Sequence, residues 1–119
     1  MCRRFPGFEV FAGTERYLLP VLKANGAGCI TATANITSKM AAGVYQTWKN
    51  REDASQAQQD LNTIRAIIEK YPMIPAVKGL LAYINNDETW LNMVPPHIQL
   101  TDAELTQLLT SAPVKNLMV

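Results

Sequence analysis

Hydrophobic and polar positions change their period twice along this chain. Residues 8–12, Phe-Glu-Val-Phe-Ala, form a short β-favouring run that stops at Gly13. Thr14 then caps a helix predicted to reach about Asn25. Glu15 lies in its first turn, at the positive end of the helix dipole. Pro20 falls inside this helix and predicts a kink. Asn25-Gly26 predicts its end, with Gly26 taking the left-handed conformation after the last turn. Residues 29–34, Cys-Ile-Thr-Ala-Thr-Ala, read as the next strand because Ile and Thr are β-branched. The crossover between the two runs is about 16 residues, long enough to return the second strand parallel to the first.

After Asn35 the period becomes helical. Ser38 caps a helix to about Lys49, with Met40, Val44, Tyr45 and Trp48 as its apolar stripe. Asp53 caps the next, where Ala57, Leu61, Ile64, Ile68 and Tyr71 recur at alternating four and three spacings. Pro72 stops that helix, and Pro75 suits the first turn of another, ending near Ile84. Residues 85–88 read as a loop, and Val94-Pro95-Pro96 as extended. Thr101 and Glu104 form a capping box for a last helix carrying Leu105, Leu108 and Leu109, which Pro113 is expected to end.

This pattern creates a difficulty. Parallel strands are normally buried inside larger sheets, yet no third strand is predicted after Ala34. Two parallel strands alone leave both edges unpaired. Their neighbours are expected upstream of Met1 or on another chain.

Composition narrows the picture. At 119 residues the chain is one domain or part of one, and it is too short for a complete (β/α)8 barrel, which needs about 200 residues or more. With 48% hydrophobic and 18% charged residues it reads as globular rather than disordered. Eleven Lys+Arg against ten Asp+Glu give +1, so no strong field steers nucleic acid or an anionic membrane. No apolar run approaches the roughly 18 residues of a membrane span, and the N-terminus lacks the apolar core of a secretory signal. Cys2 and Cys29 have neither metal nor redox spacing, which fits a reducing, cytoplasmic setting.

Residues with chemical potential are few. His97, the single histidine, follows Pro-Pro with no carboxylate or cysteine at ligand spacing, so a surface or packing role is expected. Glu15 reads as an active-site carboxylate at a strand end or as a first-turn helix charge, and local sequence favours the latter. Lys78 reads as a solvated helix residue. Gly13, Gly26 and Gly28 match neither a dinucleotide nor a phosphate-loop fingerprint. Trp48, Trp90 and the methionines are expected in the core.

Four stretches in order carry a resemblance. The first two are Val10-Phe11-Ala12-Gly13-Thr14-Glu15-Arg16 and Gly26-Ala27-Gly28-Cys29-Ile30-Thr31-Ala32-Thr33-Ala34-Asn35. The others are Tyr71-Pro72-Met73-Ile74-Pro75-Ala76-Val77-Lys78 and Val94-Pro95-Pro96-His97-Ile98-Gln99-Leu100-Thr101. Together they resemble the seventh strand, seventh helix, eighth strand and C-terminal helical junctions of the dihydrodipicolinate synthase / N-acetylneuraminate lyase family. Val94 stands where many members have Arg, and Tyr71 where Asn is common before the proline.

The resemblance implies an α/β fold: the C-terminal fragment of a TIM (β/α)8 barrel followed by a helical region. Residues 1–50 would be the last βαβα part of the barrel, and residues 51–119 the helical region. It implies a lyase or aldolase acting on pyruvate or a related 2-oxo acid through a lysine Schiff base. That lysine, on strand six, and a proton-shuttling tyrosine, on strand five, would both lie outside this chain. No catalytic residue and no metal ligand are then expected here, and no cofactor is expected. Gly13, Glu15, Ile30 and Thr31 carry over as lining of the substrate pocket. The implied partners are a small-molecule 2-oxo acid and the missing barrel half or a homo-oligomer, with no nucleic acid and no membrane. The alternative is a stand-alone helical interaction module derived from such an enzyme.

Overall fold

A computed structural model describes residues 4–117. The chain divides after Asn62, within a helix, into two compact units.

In the first unit β1 (Phe11–Ala12) and β2 (Gly28–Cys29) pair in parallel, with Phe11 opposite Gly28 and Ala12 opposite Cys29. The Ala27 N–H donates to the Val10 carbonyl at 2.8 Å, and the Ile30 N–H to the Ala12 carbonyl at 2.9 Å, extending the ladder at both ends. The parallel arrangement agrees with the crossover length. The strands are shorter than the runs 8–12 and 29–34, because after Thr31 the chain turns into α2 (Ala34–Lys49), a turn earlier than Ser38 predicts. Thr33 starts that helix. Its carbonyl accepts from the N–H groups of Ile36 and Thr37, each at 2.9 Å, and from the Thr37 hydroxyl at 2.9 Å.

The crossover is a 3-10 turn, Glu15–Tyr17, leading into α1 (Leu18–Lys23). Thr14 caps the 3-10 turn, its hydroxyl accepting from the Arg16 N–H at 3.3 Å. The expected kink at Pro20 does not arise. Splitting the segment puts Pro20 in the first turn of α1, where its missing N–H would have no intrahelical partner. Asn25, rather than Gly26, takes the left-handed conformation, with φ of 62°. Gly26 is required for another reason: a Cβ there would overlap Val21 Cγ1 and approach the Val10 and Val21 carbonyl oxygens to 3.0 Å. The core of this unit is Leu18, Leu19, Leu22, Val44, Ala54 and Leu61, with Met40, Tyr45 and Trp48 packed at its margin.

α3 (Ser55–Ile68) is capped as the sequence predicts, the Ser55 N–H donating to Asp53 Oδ1 at 3.0 Å. Its Leu61, Ile64 and Ile68 are buried. In the second unit α4 (Met73–Asn85) carries Pro75 in its first turn, as expected, and ends on Asn86 with φ of 49°. The segment 85–88 is not a free loop. Asn85 closes α4, and Asp87 caps a 3-10 turn, Glu88–Leu91, that packs on α4. Val94-Pro95-Pro96 is a turn with a cis Pro95–Pro96 bond rather than an extended segment, closed by the His97 N–H on the Val94 carbonyl at 3.1 Å.

α5 (Asp102–Thr110) begins at the expected Thr101–Glu104 capping box. Pro113 does not end a helix. α5 already stops at Thr110, and Pro113 sits in the first turn of α6 (Ala112–Leu117). Trp90 lies outside the core, 40% exposed. Gly79 permits the close approach of α4 and α5, since a Cβ there would stand 2.8 Å from Leu105 Cδ1.

Candidate functional site

The polar side chains of the first unit converge where β1 and β2 end. Gly13 closes β1 and leaves open space where a Cβ would be. Two residues on, at the first position of the 3-10 turn, Glu15 is completely buried. Its Oε2 accepts the Thr31 hydroxyl at 2.7 Å, and its Oε1 accepts a short hydrogen bond from the Thr33 hydroxyl. The two threonine oxygens lie 3.1 Å apart. Thr31 is partly exposed and Thr33 fully buried, so Thr31 is the outward member of the cluster. The turn from β2 into α2, with Thr33 already in the helical region at φ −68°, brings these two hydroxyls to the same carboxylate.

Ile30 points the other way and is 72% exposed. Phe8 and Phe11 are exposed as well, Phe11 standing opposite Gly28 in the ladder. The structure therefore brings Glu15 and Thr31 together, puts Gly13 at the same strand ends, and leaves Ile30 outside the cluster.

Cys29, half-buried on β2, has its thiol pKa pushed up, first by burial and then by the negative charge of Glu15. It is a free thiol.

Thr33 and Gln58 belong to this site and were not singled out from the sequence. Gln58, on α3 and only 7% exposed, donates from Nε2 to the Glu15 carbonyl at 2.9 Å and to Asn62 Oδ1 at 2.9 Å. Its Oε1 accepts the Leu19 N–H at 2.8 Å. The available signal was a glutamine on the apolar face of α3, between Ala54 and Leu61. A polar group there needs a buried partner.

Other candidates lie elsewhere. Lys78 is half-buried on α4 and donates a short hydrogen bond to the Asn92 carbonyl, so it ties down a backbone turn. His97 is exposed. Among the described residues no group of three or more His, Cys, Asp or Glu side chains could hold a metal ion, and no helix is long and apolar enough to cross a membrane.

Comparison with known proteins agrees with the strand–crossover–strand arrangement. A model of the Dihydrodipicolinate synthetase family matches residues 1–112. The chain is 28% identical over 105 residues to an "Uncharacterized DapA-like lyase" of Chloroflexus aurantiacus, covering 87% of this chain and 34% of that protein. It is 32% identical over 75 residues to the "Probable 2-dehydro-3-deoxy-D-pentonate aldolase YjhH" of Escherichia coli, covering 63% of this chain and 22% of that one. In structure it superposes on YagE of Escherichia coli, a prophage protein of the dihydrodipicolinic acid synthase family solved in complex with pyruvate. The TM-score is 0.81 at 21% identity, over 98% of this chain and 39% of that one. The chain thus spans roughly a third or less of the length of the two sequence relatives. With nearly its whole length matched by the family, this chain belongs to the dihydrodipicolinate synthetase family.

Proposed function

We propose that this chain supplies the last strand pair and the C-terminal helices of a (β/α)8 lyase or aldolase acting on pyruvate or a related 2-oxo acid through a lysine Schiff base. Residues 1–50 would complete the barrel and residues 51–119 would form the helical region beside it. The observation that carries this reading is the Glu15–Thr31–Thr33 cluster at the C-terminal ends of two paired parallel strands. That end of a barrel is where catalytic sites form. The pyruvate-bound state of the structural neighbour supports the substrate class.

In the reaction, the amine of a lysine attacks the keto carbon and water leaves, giving a protonated imine that accepts the electron pair when the adjacent bond breaks. In this reading the lysine and a proton-shuttling tyrosine come from strands six and five, which this chain does not contain. Its own contribution is one polar wall: Gly13 leaves room at the mouth, Thr31 presents a hydroxyl, and Glu15 fixes that hydroxyl from below. Ile30, 72% exposed on the free face of the strand pair, lines the same pocket. The chain alone is then catalytically inert, and its partner is the remaining part of the barrel or a further copy of the assembled enzyme.

Pyruvate and borohydride, followed by intact-mass measurement, test the assignment. The expected result is no stable adduct on the chain alone. When a polypeptide carrying the first six strands of a family member is added, an adduct is expected on that polypeptide. A stoichiometric adduct on one lysine of this chain would overturn the assignment of the nucleophile.

A further inference from the structure

We propose that Asn25–Gly26 is a self-modification site held shut by the corner between α1 and β2. When that corner opens, the Gly26 amide nitrogen attacks the Asn25 side chain and converts it to aspartate or isoaspartate.

The sequence holds eight asparagines, and Asn25 alone precedes a glycine. That pair is the most susceptible to this reaction, because a following residue without a Cβ leaves its amide nitrogen open to approach. Local geometry favours each member. Asn25 is where the chain turns left-handed, with φ of 62°, a conformation that asparagine tolerates. Gly26 has no room for a side chain, since a Cβ there would overlap Val21 Cγ1 and stand 3.0 Å from the carbonyl oxygens of Val10 and Val21.

The same geometry protects the bond. The Asn25 N–H donates to the Leu22 carbonyl at 3.0 Å and the Gly26 N–H to the Val21 carbonyl at 2.8 Å, the two bonds of a Schellman cap on α1. The Ala27 N–H donates to the Val10 carbonyl at 2.8 Å, the first rung of the strand pair. To react, the Gly26 nitrogen must give up its proton and swing towards Asn25 Cγ. With that proton on the Val21 carbonyl and the next peptide held by the Ala27 rung, neither step occurs until the cap breaks. Asn25 is exposed, so water reaches the pair as soon as it does.

The chemistry balances with water as the one co-reactant. A bond forms between the Gly26 nitrogen and Asn25 Cγ. The side-chain nitrogen leaves as ammonia with the proton lost from Gly26, and a five-membered imide remains. Water opens the imide at either carbonyl, giving aspartate or isoaspartate at position 25. Isoaspartate routes the main chain through the side-chain carbon and lengthens it by one atom. Where even a Cβ on Gly26 collides, the longer chain cannot restore the Gly26 and Ala27 bonds together, so the strand pair does not reclose as before.

The full chain is incubated at neutral pH in isotope-labelled water, and conversion of Asn25 is followed by peptide mass spectrometry and isoaspartyl methyltransferase labelling. A peptide of residues 22–28 gives the unprotected rate, and hydrogen exchange of the Gly26 amide is measured on the same chain. Conversion should be roughly tenfold or more slower in the chain than in the peptide. The retardation should match the protection of the Gly26 amide within about threefold, because both processes need the same N–H released. Val21→Ala thins the packing over Gly26 but keeps the carbonyl acceptor, so both rates should rise together with helical circular dichroism unchanged. Conversion in the chain as fast as in the peptide would overturn the proposal. So would retardation in a chain whose Gly26 amide exchanges freely, or a folded Val21→Ala chain in which the two rates do not rise together. The isolated isoaspartyl chain should exchange its Ala27 and Ile30 amides faster than the starting chain, and equal rates would overturn the failure to reclose.

Discussion

The backbone N–H of Leu19 donates to Gln58 Oε1 at 2.8 Å, joining α1 to a side chain 39 residues further on. Leu19 lies in the first turn of α1, where backbone donors have no partner within the helix. The other end of the same amide holds the Glu15 carbonyl. One side chain thus fixes both the start of α1 and the turn that carries the buried carboxyl.

Gln58→Leu roughly keeps the volume and removes both of these interactions together with the bond to Asn62 Oδ1. It leaves the Leu19 N–H and the Glu15 carbonyl buried without this partner, which should cost about 1–3 kcal/mol per abandoned group. Urea unfolding of the full chain followed by circular dichroism measures it. A loss below about 0.5 kcal/mol would mean that water replaces the amide.

Gly26→Ala should destabilise the first unit by about 1–3 kcal/mol, because the new methyl overlaps the Val21 side chain and presses on the Val10 carbonyl. Val21→Ala in the same chain should recover part of the loss. A double variant whose loss equals the sum of the two single losses would show that the carbonyl approach, and not the Val21 side-chain contact, dominates.

Local signals were read correctly where both partners lie within a few residues. The Asp53 cap, the Thr101–Glu104 box and the first-turn Pro75 all formed as predicted. Pro20 and Pro113 were misread because a proline looks the same in a helix interior and in a first turn. A 3-10 turn before Leu18 and a break at Ser111 decide between those alternatives. Within the site, Glu15 and Thr31 were singled out. Their companions Thr33 and Gln58 acquire their roles only when β2 and α3 come to the crossover, a tertiary fact with no local signature.

Acid should weaken the helix caps. Asp53 is held below its ordinary 3.8 by the Ser55 hydroxyl and N–H, and Asp87 below 3.8 by the Thr89 hydroxyl and N–H. Glu104 is held below its ordinary 4.5 by the Thr101 N–H and hydroxyl. Each folded pKa is depressed, so the cap contributes fully above the unfolded value and is lost as pH falls through the lower folded value. The melting-temperature gap between wild type and the combined Asp53→Asn, Asp87→Asn, Glu104→Gln chain should be present well above the ordinary carboxylate values of 3.8 and 4.5 and close as the pH falls below them through the depressed folded values. A gap that does not change with pH would show that these carboxylates do not cap as ions.

Ile30 is 72% exposed beside the paired strands. Ile30→Thr should reduce self-association of the full chain in sedimentation velocity while leaving its helical circular dichroism unchanged, since an apolar group next to an unpaired strand edge invites pairing with other chains. Unchanged association would place the sticky surface elsewhere.

The reading of β1 and β2 as two strands of a larger barrel is tested most directly by hydrogen exchange on the monomeric chain, residue by residue. The amides of Phe11, Ile30 and Thr31 should exchange roughly tenfold faster or more, relative to their unfolded rates, than those of Leu61, Ile64 and Ile68 in α3, because among the described residues the strand pair has no flanking strand on either edge. Adding the complementary six-strand polypeptide should slow the strand amides selectively. Strand amides in the monomer as slow as those of α3, and unaffected by the added polypeptide, would contradict the account.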